Sequence, residues 1–184
     1  MTWKSFHNRG EILRSVTAAA DTRRDGVLPM DVDGVAETFG DQLTLLAALQ
    51  LKWHTRLAGH IEKALTDQPL DLDAAVETAW GETADLMPGI RLILDHYRAH
   101  PVDDDMARAM TKATAKEHMM LAATAGRSSV ADAAAVAVGA RLEEAARLRH
   151  RGVLTVAAAG AHRRQDRSSD RPTLLDRLKA VMAA

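Results

Sequence analysis

The sequence predicts an all-α protein: a helical bundle of five to six helices, then a flexible basic linker and a short C-terminal amphipathic helix. Three observations predict it. Alanine fills about a fifth of the 184 residues and aromatic residues only 3%. Alanine favours helix because it loses no side-chain entropy, whereas sheets favour aromatic and β-branched residues. Apolar residues recur at three-to-four spacing along most of the chain, the period of a helix with one buried face. Aspartate, serine or threonine stands at the starts of these stretches, and glycine or proline at their ends. The length suits one core, so residues 1–160 are expected to form the bundle, 161–172 an arginine-rich linker and 173–184 a docking helix.

The first helix is predicted from Trp3 to Asp21, with Trp3, Phe6, Leu13 and Val16 on one face. Asp25-Gly26 and Pro29 punctuate the loop that follows. A second helix starts at Asp31 or Asp33 and runs to about Thr66, burying Phe39, Leu43, Leu46, Trp53, Leu57 and Ile61. At ~1.5 Å per residue it would be a spine about 50 Å long. Gln68-Pro69 ends it, and Asp71 or Asp73 caps a third helix with Leu72, Val76, Ala79, Trp80 and Met87 inward.

Pro88-Gly89 breaks that helix, and a short one from Ile90 to His100 carries Leu92, Ile93 and Tyr97. After Pro101, Asp103, Asp104 and Asp105 sit where negative charge favours a helix start, and that helix ends near Gly126. Ser129 with Asp132 reads as a capping box for a helix that reaches Arg151 and stops at Gly152. Residues 161–171 lack apolar periodicity. Thr173 and Asp176 then open a final helix with Leu174, Leu175, Leu178, Val181 and Met182 on one side.

Several chemistries are excluded. Without cysteine there are no disulfides, thiolate metal sites or cysteine nucleophiles, which agrees with a cytoplasmic protein. Met1 to Gly10 is polar and is not a signal peptide. The apolar stretch Val153 to Ala161 is far short of the ~20 residues of a membrane span. No Gly-x-Ser-x-Gly elbow, dinucleotide fingerprint or Walker loop occurs.

Eight histidines in a helical bundle raise the question of metal. Di-iron bundles use Glu-x-x-His on two helices, and no glutamate here has a histidine three residues later. His96 and His100 lie one turn apart and are the nearest to a metal pair, but a site needs three or four ligands. The expectation is therefore no metal and no cofactor. His54 and His60 differ by six residues and belong to different sites. Glu143 and Arg147 make an i,i+4 ion pair.

Ile12-Leu13, the Gly26 turn and Asp33-Gly-Val-Ala-Glu-Thr-Phe-Gly40 resemble the start of a TetR-type helix-turn-helix domain over about thirty residues. That resemblance implies a short recognition helix after Gly40. Asp41 to Leu51 continues instead as an apolar helix in an acidic segment, so no sequence-specific DNA binding is expected.

Charge is unevenly spread, with 15 acidic and 5 basic residues from Asp31 to Asp105, and 9 basic and 3 acidic from Arg147 onward. Arg163, Arg164 and Arg167 of the tail would give non-specific, salt-sensitive contact with nucleic acid, without aromatic residues for base stacking. A helix of about ten residues is marginal alone, so the tail helix needs a surface to dock on. The leading expectation is thus a non-enzymatic interaction protein, self-associating as a homo-oligomer or binding a protein partner. Its contacts would be the acidic helical face and the basic tail. The alternative is a bundle that binds a small ligand or metal between helices near Trp53, Trp80 and His96. Polar side chains converging beside His54, His96 and His118 would point to chemistry, and a dry core to scaffolding.

Overall fold

The computed structural model describes residues 3–169, with side chains from 9 to 152 and at 154. These residues form seven helices: α1 (Trp3–Arg23), α2 (Val35–Phe39), α3 (Gln42–Thr66), α4 (Leu72–Leu86), α5 (Pro88–Ala99), α6 (Asp104–Thr124) and α7 (Ala133–Ser169). There is no strand among the described residues. The protein is all-α, and none of these helices is long and apolar enough to cross a membrane.

Aspartate starts the helices. Asp41, Asp71, Asp103 and Asp132 each accept a hydrogen bond from the backbone N–H three residues on, at 2.7, 3.0, 2.8 and 2.9 Å. Each carboxylate satisfies one of the N–H groups that an α-helix leaves free at its start and meets the positive end of the dipole. Asp132 is itself the cap of α7, so Ser129 lies outside the helix it was expected to open.

Two boundaries differ from expectation. The predicted spine from Asp31 to Thr66 is two helices, five-residue α2 and 25-residue α3. Gly40 between them has φ +76°, a left-handed conformation that suits glycine, and the Asp41 cap restarts the chain. Conversely, α7 runs through Gly152 and on to Ser169, across most of the expected linker. Alanine-rich sequence on both sides favours helix, and an internal glycine costs only about 1 kcal/mol. Leu174, Leu175, Leu178, Val181 and Met182 lie outside the described residues, as do the side chains of Trp3, Phe6, Arg163, Arg164 and Arg167.

The chain divides after Arg147 into two units, and every contact described below lies within the first. There α3 packs most extensively on α4, and also on α5 and α6, while α1 lies against α5. Leu45, Leu46, Leu49, Trp53, Leu57 and Ile61 give α3 its buried face, met by Val76, Ala79 and Trp80 from α4 and by Ile90, Ile93 and Leu94 from α5. The Trp53 and Trp80 rings meet edge to face with centroids 5.8 Å apart, a favoured aromatic geometry. Leu92 is exposed, and Tyr97 with Ile93 lies on the buried face of α5.

Two glycines set how closely helices approach. A Cβ on Gly89 of α5 would overlap the Ala20 carbonyl of α1, and its N–H donates to Asp21 Oδ1 at 2.8 Å. A Cβ on Gly139 of α7 would overlap the His118 carbonyl of α6. This second approach brings α7 near enough for Glu143, one turn on, to reach His118.

Candidate functional site

Charged side chains converge inside the bundle, around the two core tryptophans. Gln50, Trp53 and His54 share one face of α3, because residues three and four apart do so. All three point at Glu117, a buried glutamate of α6. Trp53 Nε1–H donates to Glu117 Oε1 at 3.1 Å, and Gln50 Nε2 to Oε2 at 3.4 Å. His54 Nε2 lies 3.3 Å from Oε2, within ion-pair range but off the line of a good hydrogen bond. Arg91 of α5 approaches from the other side, with Nη1 3.6 Å from Oε1 and its guanidinium 4.7 Å from the Trp53 ring centroid.

A second glutamate, Glu143 of α7, forms the other half. His118 Nε2 lies 2.6 Å from its Oε2, Arg98 Nη1 donates to both oxygens at 3.1 Å, and Arg147 Nε and Nη2 donate to Oε1 at 3.0 and 2.6 Å. Asp95 joins the halves. It accepts from Arg91 Nη2 at 2.8 Å and from Arg147 Nη1 and Nη2 at 2.9 and 2.6 Å. The Arg147 guanidinium also sits 4.9 Å from the Trp80 ring centroid, and a cation over an aromatic face is attracted by its quadrupole.

Three arginines therefore balance three carboxylates: Arg91, Glu117 and Glu143 are buried, Asp95 and Arg147 half-buried, and exposed Arg98 closes the network at the surface. Burial alone raises all three carboxyl pKa values, and the partners reverse the shift. The His118 hydrogen bond and the Arg98 and Arg147 charges hold Glu143 well below the ordinary carboxylate range. His54 and Arg91 bring Glu117 down, and Arg147 with Arg91 does the same for Asp95. The three acids stay ionised because cations face each of them, since an ion taken out of water costs several kcal/mol unless paired.

The network reaches solvent at a groove of about 390 Å³ between α3 and α6. Leu43, Leu46, Ala47 and Leu51 form one wall and Ala109, Met110 and Ala113 the other. Gln50 and His54 supply its polar end, and Lys112 and Lys116 its edge. Gln50 and His54 thus face two ways, toward a concave apolar surface and toward buried Glu117.

Of the residues picked from sequence, Trp53 and Trp80 belong to this network and His96 does not. His96 is exposed on α5, its ring 5.0 Å from Tyr97 and 5.4 Å from His100. The His96–His100 pair is adjacent as the spacing requires, but no cluster of three or more metal-ligating side chains occurs among the described residues. His54 and His60 do face different partners, Glu117 and Glu82. Glu143–Arg147 is the predicted i,i+4 pair, yet Glu143 is buried, and Arg98, His118 and Asp95 join the pair instead of leaving it on a solvated face.

Sequence reasoning missed Arg91, Asp95, Arg98 and Glu117. A charged stripe at i, i+4 and i+7 along α5 was the available signal, since 91, 95 and 98 share one helical face. No protein-family model matches the chain, no curated protein matches it in sequence, and no solved structure matches it.

Proposed function

We propose that this protein binds a small, largely apolar ligand between its helices, in the groove of α3 and α6. The observation that carries the reading is the double contact of Gln50 and His54, which end an apolar groove and also touch the buried carboxylate of Glu117. Ligand sites are concave, mostly apolar, and fitted with a few well-placed polar groups; 390 Å³ is within their usual range. Polar groups held by a buried network are pre-organised, so little ordering opposes binding.

Trp53 reports on the site, because it shares Glu117 with Gln50 and His54. A polarity-sensitive apolar dye titrated into the full chain should bind at one saturable site and alter tryptophan emission. Ala47→Trp, at an exposed position of the groove wall, should fill the space and weaken binding about tenfold or more, without loss of helix. Equal affinity in the wild type and the variant would end this reading.

A second reading is a self-associating interaction protein, using the acidic face and the basic tail. It is supported by α4 and the turn before it, where exposed Leu70, Leu72 and Leu86 stand among Asp71, Glu82 and Asp85. Removing residues 161–184 should then lower the mass measured in solution by light scattering. An unchanged association state, with the same captured partners, would retire it.

A further inference from the structure

We infer that the ligand of this groove is a free single-chain carboxylic acid, its head between Lys112, Lys116 and His54 and its chain along Leu46, Leu51 and Met110. The inference rests on the proposed reading of the groove as a ligand site and adds the chemical class. Its first support is charge. The groove is lined by two lysines, a histidine and a glutamine, and by no aspartate or glutamate. Lys112 and Lys116 are one turn apart on α6, so both ammonium groups reach the same edge. They make no ion pair among the described residues, although the preceding segment, Asp31 to Asp105, has a threefold excess of acids. A cationic edge kept free of carboxylates complements an anionic head.

Glu117 does not reverse this sign. It lies behind Gln50 and His54, is almost fully buried, and faces Arg91 on its inner side. The carboxylate also holds His54 in place, with Nε2 turned inward.

The second support is the shape and lining of the rest. The volume of 390 Å³ is toward the lower end of small-ligand sites, which suits a single chain of medium length. Leu51 is 68% exposed at the mouth, an apolar surface that an alkyl chain would cover. Met110 is unbranched and adapts to a flexible chain better than a β-branched residue. Lysines present point charges on flexible stems rather than a fixed fork, which suits a mobile monoanionic head.

Decanoate, decanol and decylamine, each below its micelle concentration, should be titrated into the full chain and followed by calorimetry and tryptophan emission. Decanoate should bind about tenfold more tightly than decanol, the effect of two partly exposed ion pairs, and decylamine more weakly than either. Lys112→Gln with Lys116→Gln, both at exposed positions, should abolish the preference for the acid, weakening decanoate far more than decanol. Equal binding of acid and alcohol, or tighter binding of the amine, would overturn the carboxylate assignment and leave the groove reading standing. No binding by any of the three would remove the groove reading itself. Sedimentation with anionic phospholipid vesicles, without binding of free decanoate, would also overturn the proposal, because the lysines would then serve a bilayer surface.

Discussion

Glu143→Gln is expected to lower the unfolding free energy by about 3–5 kcal/mol, measured by urea denaturation at neutral pH. The neutral amide keeps the volume of the side chain and loses its charge. His118 at 2.6 Å and the guanidinium of Arg98 then lose their carboxylate, and Arg147 keeps only Asp95. Whichever way the amide turns, its NH2 meets Arg98 Nη1 donor to donor, because that nitrogen bonds both carboxylate oxygens. Exposed Glu62 of α3 is the control, and Glu62→Gln should change stability by less than about 0.5 kcal/mol. Acid should mimic the Glu143 variant. Asp95, Glu117 and Glu143 have folded pKa values below their unfolded ones, so the folded state binds fewer protons and the stability they contribute is complete above the ordinary carboxylate range. It is lost as pH falls through the depressed folded values. Stability should therefore be level from about pH 7 to 5 and fall steeply below about pH 4, with a shallower fall in Glu143→Gln. A loss under about 1 kcal/mol for the variant, or parallel acid curves, would mean that the network does not hold these charges in the folded state.

The helices were legible because their signals are local. An aspartate and the N–H three residues on, or leucines a turn apart, lie within one short window of sequence. The start of α4, narrowed to Asp71 or Asp73, and the start of α6 were legible for that reason. The break at Gly40 was hidden by the same logic, since Phe39, Leu43 and Leu46 keep helical spacing whether the chain is one helix or two. The charged network was largely illegible because its bonds are not local. Trp53 and Glu117 are 64 residues apart, and Asp95 and Arg147 are 52 apart. Glu143–Arg147 and Arg91–Asp95, each at four residues, left a trace, and an i,i+4 ion pair looks the same in sequence whether water or two tryptophans surround it. Converging polar side chains do occur beside His54 and His118, while His96 faces outward. The choice between those positions depended on how α5 is rotated, which residues 91, 95 and 98 reveal only once their partners on α6 and α7 are known.

Two glycine-to-alanine substitutions in helices should move stability in opposite directions. Gly59 lies in α3 with nothing near the position of an added Cβ, so Gly59→Ala should stabilise by up to about 1 kcal/mol through helix propensity and reduced unfolded-state entropy. Gly139 lies in α7, where an added methyl would overlap the His118 carbonyl, a backbone group that cannot rotate away. The same propensity gain applies there, and the clash outweighs it. Helices α6 and α7 must separate before the methyl fits, and separation lengthens the His118–Glu143 contact of 2.6 Å. Overpacking and weakened pairing together should give a net loss of about 2–3 kcal/mol in Gly139→Ala. Because the methyl acts partly through Glu143, the loss should be smaller when measured in a Glu143→Gln background, a coupling above about 0.5 kcal/mol. Strict additivity would mean that Gly139 serves only helix packing. Coupling would identify this small residue as the spacing element that brings the α7 carboxylate to its partners.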